Sequence, residues 1–131
     1  MKFDDFNFDE HLNQGLHAIG FETATAIQEQ AIPVLMETER DFVGQAQTGT
    51  GKTAGFGLPI ISQIDTNTNN IQALILSPTR ELCMQIAKDL ETYANKIKGF
   101  QVLPVYGGAE IQPQMRKLRT NPQIVVGTPG R

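Results

Sequence analysis

The sequence predicts an α/β domain of the three-layer α-β-α kind, built on a parallel sheet with helices on both faces. Two observations carry this. After residue 40, short apolar runs alternate with longer amphipathic stretches, and the runs are apolar throughout rather than at every second residue. Strands buried on both faces read this way. A third observation concerns the turns. Glycines, Ser77–Pro78 and Thr128–Pro129 follow directly on the apolar runs, and sites on parallel sheets lie beyond the carboxyl ends of the strands.

Leu12, Leu16 and Ile19 recur at helical spacing behind Asp9 and Glu10, and Gly20 stops that helix. Thr25 caps a second helix carrying Ile27, Ala31 and Ile32, which Pro33 is expected to kink or restart. DFVGQA at 41–46 predicts a first, buried strand, and a helix follows from Lys52 to Ile64. The polar DTNTNN at 65–70 is a loop. QALIL at 72–76 predicts a second strand. Leu82, Ile86, Leu90, Tyr93, Ala94 and Ile97 mark one face of a long helix. QVLPVY at 101–106 predicts a third strand, Met115 and Leu118 mark a short helix, and IVVG at 124–127 predicts a fourth strand.

Composition narrows the class. At 131 residues, 40 % hydrophobic and 19 % charged, the chain suits one packed domain. No apolar run is long enough to span a membrane, and the acidic start MKFDDFNFDEHL resembles no targeting peptide. Cys83 is the only cysteine, so no internal disulfide forms, and a cytoplasmic setting is expected. On the long helix Cys83 reads as a small apolar packer. His11 and His17 have no metal-binding partners at suitable spacing. The net charge of -3 is uneven: residues 1–70 carry three basic against ten acidic side chains, and residues 71–131 carry eight against four. A basic face on an acidic chain is therefore open to a polyanion.

Chemistry concentrates at Ala46-Gln47-Thr48-Gly49-Thr50-Gly51-Lys52-Thr53, between a predicted strand and a helix. Glycines let successive N–H groups turn toward one anion, and the helix N-terminus adds its positive end. Lys52 then reaches the β- and γ-phosphates, and the Thr53 hydroxyl ligates Mg2+. Ala46 stands where the P-loop pattern has its first glycine. A cradle alone leaves open a kinase, a GTPase, a transporter ATPase or a motor.

Four stretches decide further: Phe3 with GFETATAIQ at 20–28, AQTGTGKT at 46–53, PTREL at 78–82 and TPGR at 128–131, with Gly107–Gly108 as a fifth. Together they resemble the first RecA-like domain of DEAD-box RNA helicases over essentially the whole chain. VLPVYGGAEIQPQMRKLRTNPQIVVGTPGR is similar to the bacterial cold-shock and ribosome-assembly subgroup. The resemblance implies a RecA-like P-loop fold. Residues 1–39 are then the adenine-recognition helices and 40–131 a P-loop core whose sheet is incomplete on its C-terminal side.

It also implies an adenine clamp for ATP or ADP from Phe3, Thr25 and Gln28, completed by 46–53, with Lys52 and Thr53 as the catalytic pair. A carboxamide carries the donor and acceptor that the N6–N7 edge of adenine needs, and an aromatic ring stacks on a base. Read alone, Phe3 equally suits a hydrophobic staple and Gln28 an exposed helix position. Ala24 and Ala26 replace two prolines common in this motif, which loosens the loop. The resemblance assigns RNA backbone contacts to Pro78, Thr79 and Arg80, to Gly107 and Gly108, and to Thr128, Pro129, Gly130 and Arg131. Such contacts position RNA without reading its sequence. Read alone, Arg80 pairs as readily with Glu81, and Gly107–Gly108 serves as a turn.

The family's acidic motif for magnesium and water, and its second RecA-like domain with arginine fingers, have no counterpart in these residues. The 131 residues are thus expected to bind without turning over. Three functions stay in play: the leading part of an ATP-dependent RNA helicase, another P-loop enzyme such as a nucleotide kinase, and a non-enzymatic binding module.

Overall fold

The computed structural model describes residues 1–131, which divide into two compact units. The first comprises Met1–Gln63 and Thr92–Ile97, the second Ile64–Glu91 and Lys98–Arg131.

The first unit opens with a 3-10 turn at Phe3–Phe6, followed by α1 (Glu10–Ala18), α2 (Ala26–Glu37) and α3 (Lys52–Ser62). The Asp9 carboxylate accepts the Leu12 N–H at 2.9 Å and starts α1. Leu12 and Leu16 are fully covered. Contrary to expectation, α2 runs unbroken through Pro33. Ala31 and Ile32, on its buried face, lie in the packing of α2 against α3, and tertiary packing outweighs one lost helical bond. α3 ends at Ser62, two residues before the predicted Ile64, and carries Ala54, Leu58 and Ile61 inward. An aromatic chain runs Phe8–Phe6–Phe3–Phe21–Tyr93, with centroid separations of 5.3–5.8 Å. Asn95 ties its helix end to α1 by donating to the Gly15 carbonyl at 3.0 Å.

The strand predicted at 41–46 does not form. These residues have no sheet partner, and Val43 is 96 % exposed. An apolar run is buried as a strand only when a neighbour satisfies its backbone groups; without one, the backbone stays in water.

The second unit holds β1 (Ala73–Leu76), most of α4 (Arg80–Tyr93), β2 (Val102–Val105), α5 (Ile111–Leu118) and β3 (Ile124–Gly127). Its sheet is parallel in the order β1-β3-β2, so Ile75 and Pro104 flank Val126. β3, in the centre, is buried at every position, as a covered sheet requires. β1 is not: Ile75 is buried, but Leu74 and Leu76 are 65 % and 63 % exposed. Successive strand residues point to opposite faces, and one face of this edge strand is uncovered. The buried face of α4 keeps the expected Ile86, Leu90 and Tyr93 and departs from expectation at its first position. It runs through Cys83, Ile86, Ala87 and Leu90, while Leu82 is 43 % exposed. Cys83 packs as predicted, donating its S–H to the Val126 carbonyl at 3.0 Å; burial pushes the thiol pKa up. The helix closes at Tyr93, short of Ile97. No helix is long and apolar enough to cross a membrane.

Candidate functional site

In the first unit, the loop at 46–51 leads into α3. Gly51 takes φ +87° at its N-cap, a left-handed conformation that disfavours any side chain. The loop is curled on itself. Lys52 Nζ donates to the Ala46 carbonyl at 2.6 Å, and Thr50 Oγ1 donates to the Gln47 carbonyl at 2.6 Å. Thr53 stands one residue into the helix, half-buried.

Gln28 is not an exposed helix residue: it is 4 % exposed. Its Oε1 accepts the Thr25 N–H at 2.9 Å, which caps α2, and its Nε2 donates to the Gly51 carbonyl at 3.1 Å. Thr25 Oγ1 donates to the Thr50 carbonyl at 2.8 Å. Thr25 and Gln28, two of the three residues of the expected adenine clamp, thus brace the loop at 46–51. Beside them lies a cleft of about 350 Å³ walled by Phe3, Phe21, Glu22, Thr23, Thr25 and Gln28. The Phe3 N–H donates to the Glu22 carbonyl at 3.2 Å, and the Ala24 N–H to the Met1 carbonyl at 2.9 Å, so the N-terminal segment builds one wall. Phe3 is only 3 % exposed, with its ring 5.3 Å from that of Phe21. It acts as a staple and as cleft wall together.

No group of three or more His, Cys, Asp or Glu side chains converges on a metal position. The Thr53 hydroxyl, at the start of α3, is a suitable oxygen donor beside the loop. That fits magnesium held mainly by phosphate oxygens and water, with one or two protein ligands.

In the second unit, the carboxyl ends of β1, β3 and β2 lie along one edge and bring the other predicted stretches together. Thr79 Oγ1 accepts the Leu82 N–H at 3.2 Å and caps α4, leaving its own proton available as a donor. Arg80 forms no ion pair with Glu81; its guanidinium lies over the Tyr106 ring, 4.7 Å from the centroid. The Gly107 N–H donates to Thr128 Oγ1 at 3.4 Å, and Arg131 donates to the Ala109 carbonyl at 2.9 Å. Gly108 takes φ +78°, and Pro129 and Gly130 are exposed in the turn closed by Arg131 N–H on the Thr128 carbonyl at 3.1 Å.

Two residues here escaped the sequence reading. Tyr106 passed as the last residue of a strand, and Gln114 as one polar position of a short helix. Gln114, 9 % exposed, accepts the Tyr106 N–H at 3.1 Å and donates to the Tyr106 carbonyl at 3.0 Å. The available signal was an aromatic between an apolar run and Gly107–Gly108.

The curled glycine loop at the N-terminus of α3 and the parallel sheet with its helices are features of an α/β protein. The family described as DEAD/DEAH box helicase matches residues 25–131, and the chain belongs to it. The chain is 54 % identical over 130 residues to the ATP-dependent RNA helicase CshA of Listeria monocytogenes, covering 99 % of this chain and 25 % of that protein. It thus spans about a quarter of that relative's length. Among solved structures it resembles a DEAD box protein from Methanococcus jannaschii, with TM-score 0.92 and 41 % identity, over 100 % of this chain and 35 % of that one. It also resembles S. cerevisiae Dbp5 bound to RNA and ADP BeF3, with TM-score 0.85 and 30 % identity, over 98 % of this chain and 32 % of that one. The fold is that of a DEAD-box RecA-like domain.

Proposed function

We propose that these residues are the nucleotide- and RNA-binding leading part of a cytoplasmic ATP-dependent RNA helicase. Residues 1–39 recognise adenine, and 40–131 carry the phosphate loop and the RNA-facing strand ends. The observation that carries this reading is the bond from Gln28 to the Gly51 carbonyl. It joins a residue able to read adenine to the loop that cradles phosphate, an arrangement a generic P-loop enzyme has no use for.

On binding, Lys52 exchanges the Ala46 carbonyl for the β- and γ-phosphates, and Gln28 turns its donor from Gly51 to the base. Thr53 would hold magnesium, which when bound would neutralise charge on the phosphates. Thr79, Arg80, Gly107, Gly108 and Thr128 to Arg131 bind the sugar-phosphate backbone. None of Glu81, Asp89, Glu91 and Glu110 directly follows a strand. The carboxylates and arginine fingers needed for turnover are therefore assigned to further sequence, including a second RecA-like domain. Such fingers are worth roughly a thousandfold or more in phosphoryl transfer.

Calorimetric titration tests the reading. ADP is expected to bind more tightly than GDP, and Lys52→Ala to weaken ADP by about ten- to a hundredfold, the range for one hydrogen bond from a charged group. RNA binding persists in that variant, and ATP turnover by the 131 residues stays at background. Equal affinity for ADP and GDP, or a Lys52→Ala chain that binds ADP normally, overturns it.

A further inference from the structure

We infer that Tyr106 is a positioning residue for RNA binding, holding the Arg80 guanidinium ready for a phosphate. The inference rests on the RNA reading of the strand ends given above. Arg80 is the first residue of α4, with a long and flexible side chain. A carboxylate partner would fix it but would also neutralise the charge that a phosphate needs. Neither the Met1–Glu29 ion pair nor the Asp4–His17 contact involves Arg80. An aromatic ring attracts a cation through its quadrupole and leaves the charge intact. Tyr106, 4.7 Å from ring centroid to guanidinium carbon, orients Arg80 without disarming it.

The ring is itself fixed. Tyr106 follows Val105, the last residue of β2, which pairs with Gly127 of β3. Its N–H and carbonyl are both taken by the buried Gln114 carboxamide. On either side, the Thr128 N–H donates to the Val105 carbonyl at 3.1 Å and the Gly107 N–H to Thr128 Oγ1. Tyr106 therefore links all three RNA-facing stretches: its ring meets PTREL, its chain neighbours are Gly107–Gly108, and TPGR is bonded to both flanking residues. A side chain held in place loses less freedom on meeting its ligand, and affinity rises for that reason.

The test is a mutant cycle on RNA affinity, read by fluorescence anisotropy with a single-stranded RNA over a range of salt concentrations. Tyr106→Leu keeps apolar bulk but has no ring face. It is expected to weaken binding by about three- to tenfold, the scale of one cation–π contact, and to lower the salt slope toward that of Arg80→Ala. Tyr106→Phe, which keeps the ring, is expected to bind as the unmodified chain does. In Arg80→Ala, adding Tyr106→Leu is expected to cost nothing more. Circular dichroism on each variant separates loss of fold from loss of positioning, and Tyr106→Phe gives a folded comparison throughout. The inference is overturned if Arg80→Ala weakens binding and Tyr106→Leu does not, if the two losses add in full, or if Tyr106→Phe is as weak as Tyr106→Leu. An Arg80→Ala chain with unchanged RNA affinity overturns the underlying RNA reading as well.

Discussion

Gln28 in the first unit and Gln114 in the second are both buried, and each gives its carboxamide to backbone beside a functional loop. They differ in how the two ends are spent. Gln114 gives both to Tyr106, standing in for a ladder neighbour just beyond the end of edge strand β2. Gln28 divides them between Thr25, three residues back, and Gly51, twenty-three residues on. A carboxamide closed on one residue is a fixture. One that joins two segments is a clasp, which can release one end and keep the other. On the proposed reading, the strand ends of the second unit are held by a fixture, while the loop at 46–51 is held by a clasp that nucleotide binding exchanges.

The largest expected effect attacks the clasp from the loop side. In Gly51→Ala, a methyl group at φ +87° meets the Gln28 carboxamide and stands 3.2 Å from Thr25 Oγ1. A left-handed non-glycine residue costs about 1–2 kcal/mol, and breaking the Gln28 bond adds about 1 kcal/mol. Chemical denaturation should therefore show a loss of about 2–3 kcal/mol, together with weaker ADP binding. A chain of unchanged stability would mean that the loop does not hold this conformation in solution.

Removing each carboxamide sharpens the comparison. Gln114→Ala strands the Tyr106 N–H and carbonyl, at about 2 kcal/mol, and should weaken RNA binding while sparing ADP. Gln28→Ala should cost less stability, about 1 kcal/mol, because Thr25 is exposed and Gly51 half-exposed, so water reaches both groups. Its larger effect falls on ADP and on the preference over GDP. The same measurements on both variants decide the matter: equal stability losses with equal effects on the two ligands would erase the distinction between fixture and clasp.

The sequence was legible where local chemistry dominates. Asp9 and Thr25 begin helices, Cys83 packs inward, and IVVG at 124–127 is a strand over the predicted residues. It misled where the outcome depends on a distant partner. DFVGQA at 41–46 has the composition of a buried strand, yet no neighbouring strand pairs with it. Leu82 and Cys83 are both apolar, and only the placement of α4 on the sheet selects Cys83. The curl of the loop at 46–51 was readable from its own residues because such backbone curvature needs glycine. The Arg80–Tyr106 contact was not readable, since the two lie on separate elements that only the parallel sheet brings together.

The effect confined to the narrowest conditions falls in the second unit and is read by pH. Cys83 lies in the second unit, fully covered, with its S–H on the Val126 carbonyl. Burial raises its pKa above the ordinary 9.0. The folded chain therefore keeps a proton that the unfolded chain releases once pH passes about 9. The stability tied to this group is fully present below that pH and falls as pH rises toward the folded-state value. One proton limits the slope to about 1.4 kcal/mol per pH unit. The useful quantity is the difference between the unmodified chain and Cys83→Ala, from which contributions of other groups cancel. Between pH 8 and 10 the unmodified chain should lose stability more steeply, by up to about 1.4 kcal/mol, while any fixed cost of the lost thiol cancels from the slopes. Parallel slopes in denaturant unfolding would show that the thiol reaches water in the folded chain and that the contact between α4 and β3 is looser than 3.0 Å from Sγ to the Val126 carbonyl implies.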